Sequence, residues 1–337
     1  MPNKDIIVIG ASMGGIEALK TLVSGLPPKL NASIFIVLHT APESPGILPE
    51  VLSRAGALPA VFPAHLDRIS SGRIYVAPPD HHLLVEPGFV RLTRGPKENR
   101  FRPAIDPLFR SAAQAYGPRV IGVILTGLLD DGTAGLWAIR QCGGTAVVQD
   151  PNEALAPSMP LSALKHVEVN YCLPVTGIGP LLAQLTSTPA EEKGASPMAE
   201  EIKAEIRIAE EGNALEAGVL KMGEPSLYTC PECHGALVRI TEGDRIRFRC
   251  HTGHAFSLDS LLAEITGQIE DSLWTVIRTI QESILLMRHL AAHLNEQNDQ
   301  AAAAVLQQRA QEAEQRAALI RQATFSHKTL SIETAQE

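Results

Sequence analysis

The sequence predicts an α/β protein: a doubly wound, mainly parallel sheet within the first 185 residues, followed by a small cysteine-bearing module and an α-helical hairpin. Three observations lead there. Apolar runs at 6–9, 33–38, 120–125 and 145–149 alternate with amphipathic stretches at 16–24, 103–115 and 133–141, the order expected of parallel strands joined by crossover helices. Three of the five cysteines crowd into residues 230–250. Beyond residue 257, apolar residues recur every seven positions on either side of a polar break at 295–299, which fits two antiparallel helices.

Composition narrows the function classes. A chain of 337 residues that is 45% hydrophobic has material for two domains and a sizeable core. The net charge of −8 is uneven, because residues 1–185 carry 15 basic and 14 acidic side chains. No basic stripe marks that part as a nucleic-acid binder. Neither a bilayer-spanning run nor a signal pattern is evident, so a cytoplasmic protein without membrane insertion is expected. An odd cysteine count with three clustered argues for metal chemistry in a reducing compartment rather than a disulfide framework. Cys142 and Cys172 are expected to be buried, inert thiols.

Taken in order, the first strand runs into Gly10-Ala11-Ser12-Met13-Gly14, a Gly-x-Ser-x-Gly turn before a helix. Such a turn holds a hydroxyl above the sheet edge with backbone N–H groups beside it; a glycine-rich phosphate loop is the competing reading. His39 follows the run 33–38, and Asp130-Asp131 follow 120–125, so both lie where loops leave strand ends at the edge that carries Ser12. A serine hydroxyl needs a histidine base oriented by a carboxylate. Either aspartate could serve on this reasoning. Residues 83–92 predict a hairpin about Pro87-Gly88, added antiparallel at the sheet edge. The first domain should close near Leu185, and 186–227, with nine Glu against four Lys or Arg, reads as an acidic linker or loose helix.

The blocks IGASMGG, VLHTAP, RPAIDPLFRSAA, LTGLLDDGTAG and QDPNEALAPSMP occur in that order and resemble the catalytic domain of the chemotaxis protein-glutamate methylesterases, the CheB type, over about residues 5–185. The resemblance implies Ser12 as nucleophile, His39 as base and Asp131 as orienting carboxylate, with Asp130 at a variable position. Backbone N–H groups of Met13 and Leu128 would hold the oxyanion, and no cofactor would serve catalysis. Met13 stands where the family commonly has Thr, Thr40 where it has Met, and Leu128-Leu129 where it has Met-Gly. Family members usually begin with a receiver domain. Here the first catalytic strand starts at Ile6, so control by a receiver in the same chain is not expected.

Cys230-Pro-Glu-Cys233 and, after sixteen intervening residues, Cys250-His251-Thr252-Gly253-His254 have the spacing of structural Zn2+ knuckles, placing a zinc-binding module at 228–256. Cys230, Cys233 and Cys250 would supply thiolates and His254 the fourth ligand, ahead of His251 and His234. Three thiolates and an imidazole leave no open position, so the ion would be structural, and its loss should unfold the module without abolishing esterase chemistry. Arg245, Arg247 and Arg249 alternate with Ile246 and Phe248, read as a solvated strand face in preference to a nucleic-acid ribbon. In the hairpin, 257–330, a seam at Thr266, Leu273, Ile280, Met287 and Leu294, interleaved with Leu262, Ile269, Val276 and Leu290, should pack on Val305, Ala313, Ala317 and Ile320, or else dimerise or dock on a receptor bundle. The expected function is hydrolysis of glutamyl methyl esters on a chemoreceptor-like signalling protein, releasing methanol. The alternative is a catalytically silent scaffold that binds partners through its module and hairpin.

Overall fold

The computed structural model describes residues 2–190, 200–243 and 245–326. The elements in chain order are β1 (Ile6–Ala11), α1 (Gly15–Ser24), β2 (Ser33–Leu38), α2 (Leu48–Ala55), β3 (Ala60–Val61), β4 (Asp67–Arg68), β5 (Ile74–Val76), β6 (His82–Glu86), β7 (Phe89–Thr93), α3 (Ile105–Tyr116), β8 (Val120–Ile124), α4 (Thr133–Gln141), β9 (Thr145–Gln149), α5 (Ser158–His166), β10 (Tyr171–Leu173) and α6 (Val175–Leu185). There follow α7 (Glu200–Glu211), β11 (Glu224–Thr229), β12 (Ala236–Glu242), β13 (Arg245–Cys250), β14 (Ala255–Ser257), α8 (Leu258–Glu296) and α9 (Gln300–Ser326). The chain divides into two units, Met1–Ser260 and Leu261–Glu337.

In the first unit, seven parallel strands lie in the order β10-β9-β8-β1-β2-β5-β3. The apolar runs are continuous because the sheet is covered on both sides, and their alternation divides the core. Ile6 and Val8 join Phe35, Ile105 and Phe109 on one face; Ile7 and Ile9 join Leu19, Leu22 and Ile34 on the other. β1 sits between β8 and β2, so the chain leaves it in opposite directions across the sheet and opens a crevice at the carboxyl ends of these three strands.

Several expectations change. The hairpin of β6 and β7 does not extend the parallel sheet; it forms a separate three-stranded sheet with β4. Its inward residues Leu83 and Val85 belong to the core that includes α3, and Val85 N–H donates to Ser111 Oγ at 3.0 Å. The stretch expected as an acidic linker or loose helix contains a packed helix, α7, whose Ile202 and Ile206 enter the main core and whose Glu205 is buried. Residues 191–199 of that stretch lie outside the described residues. Cys142 is buried as expected, whereas Cys172 is exposed on the edge strand β10.

β11 to β14 form an antiparallel sheet. The arginine face of β13 is neither solvated nor free for nucleic acid. Arg249 pairs with Glu98 at 2.9 Å and Glu205 at 3.1 Å, Arg247 pairs with Glu205 at 2.9 Å, and Arg245 stacks over the Trp137 ring at 4.8 Å. Arg110, from α3, joins Glu98 and Glu205. A buried network therefore fastens the cysteine module to the parallel-sheet core, within the same unit.

The second unit contains the hairpin. Asp299 Oδ1 accepts from Ala302 N–H at 3.1 Å and opens α9, and Arg288 pairs with Glu314 at 2.6 Å. The buried stripe on α8 is Ile277, Ile284 and Ala291, beside the half-buried Leu273, Ile280, Met287 and Leu294. Ile269, Val276 and Leu290, expected in the seam, are exposed instead. On α9, Ala303, Ala310 and Ala317 are buried while Val305 is exposed. The last four residues of the expected hairpin, 327–330, lie outside the described residues. Among the described residues no helix is long and apolar enough to cross a membrane.

Candidate active site

The ladder between β1 and β8 continues one step past the strand, with Ser12 N–H donating to Thr126 O at 3.0 Å. The chain then turns, Gly15 N–H donating to Ser12 O at 2.9 Å and Gly14 adopting φ 76°, where a side chain would be strained. Ser12 thus stands at the crevice with its hydroxyl free of the sheet. Gly127, opposite, permits the approach: a Cβ there would lie 2.8 Å from Ser12 Cβ and 2.1 Å from Met159 Sδ. His39 is set one residue beyond β2 by its N–H bond to Ala11 O, 3.1 Å.

His39 Nδ1 lies 3.2 Å from Ser12 Oγ, and His39 Nε2 lies 2.7 Å from Asp131 Oδ2. The ring is clamped by Phe101, stacked at 3.8 Å and 9°. Asp131, 3% exposed, precedes α4 and faces the N-terminus of α3. It accepts from Ile105 N–H at 2.7 Å, Gly132 N–H at 2.9 Å and Asn99 Nδ2 at 2.9 Å. Burial alone pushes this carboxyl up. The bond to His39 and the donors from Ile105 and Asn99 outweigh burial and hold it below its ordinary value. An ionised Asp131 keeps the ring proton on Nε2 and turns the Nδ1 lone pair toward Ser12. Asp130 points elsewhere, accepting from Ser257 Oγ at 2.6 Å.

Met13, which lines the cleft with Ser12, and Leu128, which follows Gly127, have side chains 52% and 40% exposed. Among the described residues, neither of their N–H groups is engaged in a backbone hydrogen bond. Thr126 Oγ1 donates to Met13 O at 2.9 Å and fixes that turn. A cleft of about 490 Å³ opens over Ser12 and His39, lined also by Thr40, Phe101, Arg100 and Arg102. Phe101 and Asn99 were not anticipated. Their signal is their position just ahead of the block RPAIDPLFRSAA.

Cys230, Cys233, Cys250 and His254 come together with their ligand atoms all within 4.8 Å of one another. His254 Nδ1 is 3.7 Å from Cys230 Sγ and 3.5 Å from Cys250 Sγ, and Cys233 Sγ is 3.6 Å from Cys250 Sγ. A tetrahedral zinc ion with bonds of about 2.3 Å to sulfur and about 2.0 Å to nitrogen needs edges of about 3.8 Å and about 3.5 Å. The cluster fits such an ion. His251 packs against Gly235, where a Cβ would meet its ring at 2.2 Å, and His234 lies outside the cluster.

A sequence profile of the family described as CheB methylesterase matches residues 7–182. The chain is 39% identical over 192 residues to a Leptospira interrogans protein, covering 57% of this chain and 100% of that one. It is 38% identical over 182 residues to an Anaeromyxobacter dehalogenans protein, covering 54% of this chain and 53% of that one. The second is named protein-glutamate methylesterase/protein-glutamine glutaminase 2, and the first bears the same two activities in a provisional name. The fold is similar to the crystal structure of the Thermotoga maritima CheB methylesterase catalytic domain, with a TM-score of 0.52 and 32% identity over 54% of this chain and 98% of that chain.

Proposed function

We infer that this chain, which belongs to the CheB methylesterase family, is a protein-glutamate methylesterase that hydrolyses glutamyl methyl esters through Ser12, His39 and Asp131. The observation that carries this is the line from Ser12 through His39 to an Asp131 kept ionised by its bond to His39 and by the donors at Ile105 and Asn99. Ser12 Oγ attacks the ester carbonyl while His39 Nδ1 takes its proton. The tetrahedral oxyanion is held by N–H groups of Met13 and Leu128. Collapse breaks the bond to methoxide, which leaves as methanol with the proton from His39. Water, giving its proton to His39, then attacks the acyl-serine, and a second collapse frees the glutamate and returns the proton to Ser12. A glutaminyl side chain could enter the same cycle and release ammonia, in keeping with the relatives' double name.

The substrate is a methylated receptor or related signalling protein. Zn2+ in the Cys230, Cys233, Cys250, His254 cluster is structural, with four protein ligands and no position left for water. The hairpin helices are candidates for self-association. The test is methanol release from a methylated receptor by the full chain, compared with Ser12→Ala. Release by the wild type alone supports an enzyme; equal background from both would leave a scaffold.

A further inference from the structure

We propose that Asn99 is a positioning residue for Asp131, held in place by the strand that leaves the Cys/His cluster, so that the docked cysteine module is part of the support of the triad. This deepens the reading of Ser12, His39 and Asp131 given above and rests on it.

Asn99 is 6% exposed and uses its amide fully. Nδ2 donates to Asp131 Oδ1 at 2.9 Å and to Asp106 Oδ2 at 3.1 Å, standing between two buried carboxylates. Oδ1 accepts from Ser257 N–H at 3.0 Å and from Ser260 Oγ at 3.2 Å. Only one orientation of the amide satisfies all four. The backbone is tied in the same direction: Ala255 N–H donates to Lys97 O at 3.2 Å and Asn99 N–H donates to Ala255 O at 2.8 Å, which adds residues 97–99 to β14. Ala255 follows His254, a member of the cluster. Glu98, the neighbour of Asn99, is gripped by Arg249, the neighbour of Cys250.

The consequence is a short path from cluster to triad. Asn99 has φ 48°, so its segment occupies a conformation that relaxes readily once its partners leave. Asp131 would lose the one side-chain donor that separates it from Asp106, and the bonds from the N–H groups of Gly132, Ile105 and Asp106, left to hold it, would open more often. A carboxylate free to rock no longer fixes the Nε2 proton of His39, which affects turnover more than binding. Loss of the metal should then reach the triad, contrary to the expectation that the module could unfold without affecting the esterase.

Asn99→Gly suits the test because glycine tolerates the backbone conformation while removing the bridge. The full chain, this variant and Cys230→Ser are compared for kcat and KM on a small soluble glutamyl methyl ester, and for amide hydrogen exchange over residues 97–106. Both variants are expected to lose at least tenfold in kcat with KM within twofold of wild type. Exchange at Ile105, whose N–H donates to Asp131, should rise at least tenfold in both. Wild-type kcat in Asn99→Gly, or a Cys230→Ser protein that exchanges faster in residues 228–257 but not at Asn99 and Ile105, would overturn the proposal. If the wild type itself turns over no ester, the enzymatic reading falls, and exchange at Ile105 decides the positioning claim alone.

Discussion

Glu205→Gln separates a packed α7 from an acidic linker. Glu205 is buried and lies 2.9 Å from Arg247, 3.1 Å from Arg249 and 3.5 Å from Arg110. Burial by itself would raise this carboxyl, but Arg247, Arg110 and Arg249 hold it well below its ordinary range, so it is charged at neutral pH. Four guanidinium nitrogens of these arginines already lack a hydrogen-bond partner, so no spare acceptor stands by. Removing one member of a buried ion network costs about 3–5 kcal/mol, whereas a linker side chain would cost about 0.5 kcal/mol or less. With a urea slope of about 3 kcal/mol per molar, the midpoint should fall by about 1–1.7 M. Trp137 fluorescence in a Trp274→Phe background reports on the first unit. Because the folded value is depressed, the difference should be fully present above the unfolded value of about 4.3 and shrink only as pH falls below it. A midpoint shift under about 0.2 M at neutral pH would refute the packing argument.

Other consequences can be checked in parallel. Asp131→Asn should lower ester turnover by roughly 10³-fold or more, and Asp130→Asn should leave it near wild type, as steady-state rates will show. Burial pushes Asp130 up to about 7 against the bond from Ser257, and the charges of Asp259 and Asp131 add to it. An acid raised on folding costs stability as pH climbs from its unfolded value of about 4 toward 7; thermal melts of Asp130→Asn should therefore pull ahead of wild type across that window and match it below pH ~4. Leu129 has φ 62°, so Leu129→Gly should gain about 1 kcal/mol, or about 2–4 °C in melting temperature. Elemental analysis of protein purified without chelator should find one zinc per chain, lowered by Cys233→Ser.

The legible parts of the sequence were those with long, uninterrupted signals. β1, β2, β8 and β9 are five or six residues each, buried throughout and apolar but for Ser33, Thr145 and Gln149, and the loops at the carboxyl ends of β1, β2 and β8 carry Ser12, His39 and the Asp130-Asp131 pair. β5 and β10 have three residues each, too few for a period to show. The alternation of Arg245, Arg247 and Arg249 was visible, but its direction was not. The partners that bring Arg249 inside, Glu98 and Glu205, are 151 and 44 positions away. α7 was hidden by its glutamates, although Ile202, Ile206 and Ala209 already had helical spacing. In the hairpin, two stripes offset by one residue compete, and burial selects Ile277, Ile284 and Ala291.

Covalent labelling of the nucleophile tests the account at its centre. A serine-directed fluorophosphonate incubated with the full chain should add one phosphonyl group per chain, located by peptide mass spectrometry on Ser12. His39→Ala should lose the label because Ser12 then has no base, and Asp130→Asn should keep it. Label on another residue, or labelling of His39→Ala at the wild-type rate, would contradict a Ser12 activated by His39.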